Sequence, residues 1–457
     1  MKMKHIEALI NHYQPKINRN LAITKAEYRR RWQMVQEAMA AKGYDLAYAC
    51  GSELDRSDIA WLAGVFDPII ERYGILVPVK GTPVVVAGSE GGHVIADCLK
   101  ASGARLALLR EFQISDEDYR FAAFERLEDI IFRLVPFKPG RPLKIALLSS
   151  SQFIPYDHVK LFEGRFGGEN VVFDVDLLRR IKYEKSMKEL QIIQTANIIA
   201  DAAFLGMLAV LKPGITELDV AAVGDYIMKR LGARRTGFPT IVSSGTRGRT
   251  VLGPATNRRL KKGEWVSLGI SPTFNGYHGI MRRTVKIGHT VTQEEQAFLK
   301  ALEGLYQAVM KATIQAAKKN LPAKYIDRKG KEFLERTKLL TLDNRRLSPR
   351  EPYTFIHNTG CSECQEGYGA VTPYSEEPLG RNVALMIDVA FTGFDEQGRL
   401  VFPLEYAVIE DSFWKIGDQV GVYNQMPLNV QMFVGQEVVS IPRDKINPYY
   451  RPLPGGD

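Results

Sequence analysis

Cysteine is scarce in this chain: four residues, Cys50, Cys98, Cys361 and Cys364, among 457. Thiols so few and so unevenly spaced exclude a disulfide framework and point to a reducing, cytoplasmic setting. Long apolar runs are missing too. No stretch approaches the roughly 18 apolar residues of a membrane span, and the N-terminal MKMKHIEALINHYQPKINRN lacks the apolar core of a signal peptide. The expectation is a soluble protein with no membrane partner. Charge of one sign is not concentrated either. Against 52 Asp and Glu stand 61 Lys and Arg, net +9, without an extended basic tract, which argues against a nucleic-acid partner. What remains is ordinary globular composition, 45% hydrophobic and 25% charged, over a length that calls for two or three domains.

After a polar leader, 1–23, Thr24 can cap a helix running to Lys42, in which Tyr28, Trp32, Val35 and Met39 recur at helical spacing. The β-rich runs DLAYAC, RYGILVPV, TPVVVAG, RLALLREF and KIALLSS alternate with helical stretches near 93–101 and 121–135, which predicts an N-terminal α/β domain over 24–176. The run LRRIKYEKSMKELQIIQTANIIADAAFLGMLAVL predicts one long helix from Leu177 to Leu211, closed by Lys212-Pro213-Gly214. Beyond it, Thr216 caps a helix to Leu231 and another runs from Thr292 to Lys319, among the strand-like runs IVSSG, EWVSLGI, YHGIMRRTVKIG, VALMIDVAF and EYAVIED. Hairpins among helices predict a curved antiparallel sheet covered by helices over 177–418, an α+β domain. The Pro-rich end, 419–457, reads as an extended tail or a strand that wraps a partner.

The stretch SLGISPTFNGYHGIMRRT, Ser267 to Thr284, has the frame of a metal-binding hairpin. It stands in order with AWLAGVF from Ala60, LRRIKYEKSMKEL, KPGITELDVA, IHNTGCSEC, LMIDVAF and LEYAVIED. The series resembles the creatinase/aminopeptidase P family of pita-bread hydrolases over nearly the whole chain. That resemblance implies a creatinase-like N-terminal domain, a pita-bread catalytic domain and five metal-ligand positions. These fall on Gly269 and Ile280 where the family has aspartates, on His357, on Asp388 for the first glutamate, and on Glu405 for the second. Glycine and isoleucine offer a cation neither carboxylate oxygen nor imidazole nitrogen. Two further positions that hold substrate-side histidines in the family fall on Leu252 and Cys364. Creatinase, the metal-free member, also lacks both aspartates and has a similar SL-x4-P-x3-GY frame, but it keeps those histidines, so creatine hydrolysis is not expected here.

Strand alternation puts His278 and Arg282 on the face of Ile280, giving five polar candidates: His278, Arg282, His357, Asp388 and Glu405. His357, oriented by Glu405 or Asp388, would act as a general base that activates water against an amide, amidine or ureido carbon. Arg282 would grip a substrate carboxylate with two parallel hydrogen bonds, or else pair with Asp388 or Glu405. Cys361 and Cys364 form a C-x-x-C beside His357, which reads as a thiolate nucleophile, a zinc site, or small residues in a packed strand. Arg249, on a loop, could line the mouth, while Tyr277 and Arg283 read as structural.

The expected cofactor is none; the alternative is one zinc or manganese ion held by His278, His357, Asp388 and Glu405. The leading reading is a metal-independent hydrolase cleaving a C–N bond in a small, anionic amino-acid derivative. The alternatives are a catalytically silent member that binds a peptide or small ligand, and a Xaa-Pro metallopeptidase with an atypical metal site. The resemblance implies a homodimer acting on a small-molecule substrate.

Overall fold

The computed structural model describes residues 3–68, 70–114, 119–120, 122–136, 140–288, 290–363 and 367–455. The chain divides into two compact units, Ala22–Glu184 on one hand and Met1–Leu21 with Lys185–Asp457 on the other. The boundary expected at 176/177 thus falls at 184/185.

In the first unit, the Thr24 hydroxyl accepts the Glu27 amide and starts the helix Lys25–Lys42. Among the described residues this unit holds a six-stranded sheet, in the order Arg105–Leu108, Val84–Ala87, Tyr73–Pro78, Leu46–Gly51, Ile145–Leu147 and Val171–Phe173. The sheet is mixed: Leu46–Gly51 runs antiparallel to Tyr73–Pro78 and parallel to Ile145–Leu147. Tyr48, Leu76, Val86, Ile130 and Phe162 are buried in its core.

The second unit is built on helices and antiparallel strands. Residues expected as a leader largely join it: Met3–Tyr13 is a helix that buries Ile6, Leu9, Ile10 and Tyr13 and packs on the helices Met187–Val210 and Glu217–Leu231. The single helix expected over 177–211 is two, Val175–Tyr183 and Met187–Val210. Ser186 and Glu189 form a reciprocal capping box there, so a new helix starts where the periodicity alone reads straight through. Met187–Val210 is long and apolar enough to cross a membrane, yet 89% of its most apolar window is buried within the protein, as for a core helix.

Among the described residues, the seven strands of the main sheet run in the order Ile356–Asn358, Asn382–Thr392, Tyr406–Ile416, Met281–Lys286, Trp265–Ile270 and Ile241–Ser244, with Gln419–Val422 paired to Tyr406–Ile416. Every pairing is antiparallel. The helix Gln293–Lys319 packs on Asn382–Thr392 and Tyr406–Ile416. The C-terminal segment is part of this unit: besides the strand Gln419–Val422, its Tyr423, Met426, Phe433 and Leu453 are buried. The whole is α+β.

Candidate active site

Register places the site. Ile241, Gly269, Arg282, Glu410 and Asp388 stand directly opposite one another across five consecutive strands, so their side-chain positions share one face of the sheet. One strand further, His357 stands opposite Met386, two residues from Asp388 and therefore on the same face.

Arg282 is the centre of this row, and it is buried. Its Nη1 donates to Asp388 Oδ2 at 3.3 Å and to Glu410 Oε2 at 3.1 Å. Its Nη2 donates to the Val251 carbonyl at 2.7 Å and to the Tyr406 hydroxyl at 2.9 Å. Tyr353 closes a ring, donating to Asp388 Oδ1 at 2.9 Å and meeting the Tyr406 hydroxyl at 2.6 Å. Both Nη atoms are thus committed within the protein. The expectation that Arg282 grips a substrate carboxylate does not hold, because the fork is already filled; the pairing with Asp388 does.

Glycine at 269 makes room for this arginine. A Cβ there would lie 2.9 Å from Arg282 Cγ, inside normal carbon–carbon contact, so a side chain at 269 and the arginine stem compete for the same space. The loop that supplies Val251 is anchored by buried Glu217, which accepts from Ser244 N and Oγ and from Thr256 N and Oγ at 2.7–3.0 Å, and also pairs with Arg247. Ala390, Tyr406 and Val408, with Val251 and Tyr353 against them, give the ring an apolar flank.

His357 faces the other oxygen of Glu410. Its Nε2 lies 3.4 Å from Glu410 Oε1 and 3.9 Å from Glu363 Oε1, while Nδ1 is 3.2 Å from the Asn358 carbonyl. Burial opposes charge on the ring, but Glu410, Glu363 and Asp388 outweigh it and push the pKa up to about 10. His357 is therefore an imidazolium at neutral pH, a proton donor rather than the general base expected from the sequence. Burial, reinforced by the charge of Glu410, lifts the Asp388 carboxyl to about 7 against the pull of Arg282 and His357. Glu410 Oε1, Arg282 Nε, Ser362 Oγ and Ser412 Oγ are buried with no hydrogen-bond partner among the described residues. The 3.4 Å approach of His357 to Glu410 is an ion-pair contact, not a completed hydrogen bond.

Several sequence expectations shift. Glu405 is not in the site: Tyr406, Val408 and Glu410 pair with Thr392, Ala390 and Asp388, so alternation turns Glu405 off the face and makes Glu410 the second glutamate. His278 does not share a strand with Arg282. Tyr277–His278 pairs with Pro272–Phe274 in a separate small sheet, and the strand of Arg282 begins only at Met281, after Gly279, where a Cβ would sit 2.5 Å from the Ala196 backbone. The His278 Nδ1 meets the Gly360 carbonyl at 3.1 Å. The Ile280 side chain is buried, its amide donating to Asn197 Oδ1 and its carbonyl accepting from Asn424 Nδ2. Leu252 is 53% exposed and Arg249 is exposed, so this loop contributes the Val251 carbonyl rather than either side chain. Cys361 is buried and outside any disulfide; Cys364 lies outside the described residues. Tyr353, Tyr406, Glu363 and Glu410 were not singled out by sequence. The signal for Glu410 is its parity with Asp388, legible only once the two strands are known to pair.

The five-position dinuclear donor set does not fit here: Gly269 and Ile280 supply no donor, and Asp388 and Glu410 are engaged by a guanidinium. In place of the four-residue alternative with His278 and Glu405, the ligand atoms of His357, Glu363 and Glu410 lie within 4.8 Å of one another, a possible three-residue metal site.

The arrangement is the pita-bread fold. Residues 191–409 match the model of metallopeptidase family M24. The Xaa-Pro dipeptidase of Pyrococcus furiosus is 29% identical over 160 residues, 35% of this chain and 44% of that protein. An uncharacterized peptidase of Bacillus subtilis is 32% identical over 148 residues, 31% and 40% of the two chains. The chain thus spans about two fifths of the length of the curated relatives it matches. Among solved structures, the prolidase from Pyrococcus furiosus superposes with a TM-score of 0.62 at 17% identity, covering 86% of this chain and 99% of that one. Dipeptidase PepE from Mycobacterium ulcerans gives 0.65 at 18% identity, covering 90% and 98%.

Proposed function

We propose that the protein is a hydrolase of C–N bonds in a small amino-acid derivative or dipeptide, working without a dinuclear metal centre. The observation that carries this reading is His357 held 3.4 Å from Glu410 and 3.9 Å from Glu363, with Glu410 Oε1 without a hydrogen-bond partner among the described residues. A water between them gives its proton to a carboxylate oxygen as its own oxygen attacks the carbonyl-type carbon. The imidazolium Nε2 then protonates the departing nitrogen as the C–N bond breaks, and transfer of a proton from the carboxyl back to the ring restores the site. The Arg282 ring holds Asp388 and the second oxygen of Glu410 in place, leaving one oxygen of Glu410 to act.

With its fork filled, Arg282 is not the group that would select an anionic substrate; the open carboxylate oxygen favours an N–H-rich head. Relatives named as Xaa-Pro dipeptidases support peptide or amide substrates. A homodimer is part of the same reading.

The test is turnover of chelator-treated protein on Xaa-Pro dipeptides and on N-carbamoyl, amidino and N-acyl amino acids, followed by release of amine or ammonia. Turnover should survive the chelator and fall about 100-fold or more in His357→Gln and Glu410→Gln, as for loss of a general acid or base. Activity that needs added manganese or zinc sinks the metal-independent part. Failure across the panel, with some compounds raising the melting temperature, favours a binding protein instead.

A further inference from the structure

We infer that Arg282 is the resident cation of this site, its guanidinium seated between Asp388 and Glu410 so that no divalent ion occupies that place. Three independent features of the chain agree. First, residues 269, 282, 410 and 388 form one cross-strand row, so a charge carried by residue 282 falls next to both surviving carboxylates. Second, a Cβ at 269 would lie only 2.9 Å from Arg282 Cγ, with Ile241 Cδ1 at 3.0 Å beside it, so a side chain at 269 crowds the arginine stem. A carboxylate at 269 and an arginine at 282 thus compete for one space. Third, both Nη atoms are held, by Asp388 and Glu410 on one side and by the Val251 carbonyl and Tyr406 hydroxyl on the other. A cation held at four points in a buried site is fixed, and the Asp388 and Glu410 oxygens that it engages are taken from any divalent ion between them.

This inference concerns the charge inside the site and does not need the hydrolase reading. It stands if no substrate is ever turned over, and it fails on metal content alone. The experiment loads wild type and variants with Mn2+ or Zn2+, removes free ions, and measures metal per chain together with the melting temperature with and without each ion. Wild type and Arg282→Lys, which keep a cation, should hold no stoichiometric metal and show no shift. Arg282→Met, similar in volume but uncharged, should gain metal and melt higher with it. Since that variant leaves two buried acids facing each other, Gly269→Asp/Arg282→Thr is made alongside it, returning a carboxylate to the space vacated by the arginine stem; it too should take up metal. Stoichiometric metal in wild type that is lost in Glu410→Gln overturns the inference. So does a folded Gly269→Asp/Arg282→Thr protein that binds no more metal than wild type.

Discussion

Arg282 and Arg283 are neighbours on one strand and equally buried, each 1% exposed, yet they face opposite sides of the sheet into very different surroundings. On the Arg283 side every donor is used: Nε reaches the Pro427 carbonyl, Nη1 the Arg282 and Glu410 carbonyls, and Nη2 both oxygens of Asp411 at 2.9 and 3.0 Å. Tyr306 from the packed helix and Asn447 from the C-terminal segment complete Asp411. On the Arg282 side, Arg282 Nε and Glu410 Oε1 have no hydrogen-bond partner among the described residues. A buried ion pair satisfied at every atom ties helix, sheet and chain end together; one left unsatisfied at chosen atoms is set up to receive something.

The largest effect that can break this comparison is on stability. Arg283→Met strands a buried aspartate whose partners come from three parts of the unit, and should cost about 3–5 kcal/mol in urea unfolding at pH 7. Arg282→Met should cost less, about 1–3 kcal/mol, because the Asp388 carboxyl is already raised toward neutrality by burial and by Glu410 and can take up a proton. Equal losses would show that both pairs are structural.

Next comes pH. The folded His357 pKa of about 10 lies above the ordinary histidine value, so its contribution to stability is complete below about pH 6.5 and is lost as pH rises through about 10. Asp388, also raised, acts with the same sign in a lower window, from the ordinary carboxylate value up to about 7. Stability should therefore fall between pH 7 and 10, each pKa unit being worth about 1.4 kcal/mol at most, and His357→Gln should flatten that fall. A wild-type profile that is level or rising over this interval would contradict the imidazolium.

The same contrast marks what the sequence could reveal. Thr24, Thr216 and Thr292 announce their helices because a cap is a local event, written within four residues. Local reasoning also separates Arg283 from Arg282, since alternation alone puts neighbours on opposite faces. The choice between Glu405 and Glu410 is not local. Both lie in one short run, and only pairing with Asp388 on another strand decides which faces the site. His278 escapes for a similar reason: the strand breaks at Gly279, which lies against the backbone of a helix some 80 residues earlier in the chain. The aromatic partners Tyr353 and Tyr406 follow no motif, and Glu363 is hidden inside the C-x-x-C stretch that draws attention to its cysteines.

A finer probe of the Arg282 side is Tyr353→Phe, which removes the donor to Asp388 Oδ1 and opens the hydrogen-bonded ring without deleting a charge. It should cost about 1 kcal/mol. If the ring positions Glu410 through Arg282, kcat should drop while KM changes little. A stability loss with unchanged kcat would make the ring a packing device, like the Arg283 cluster.

The smallest effect is expected at Arg249, and its smallness is informative. Arg249 is exposed on the loop that carries Val251, but the loop reaches the site through a backbone carbonyl on Arg282 and is held by Glu217 and Arg247. Arg249→Ala should leave stability within about 0.5 kcal/mol of wild type, as for surface changes away from such anchors, and leave KM unaltered. Glu217→Gln, by contrast, weakens the anchor and should lower kcat by displacing the carbonyl that fixes Arg282. A raised KM in Arg249→Ala would mean that the exposed side of the loop touches substrate, and the mouth of the site would then extend beyond the buried row on which the comparison of the two arginines rests.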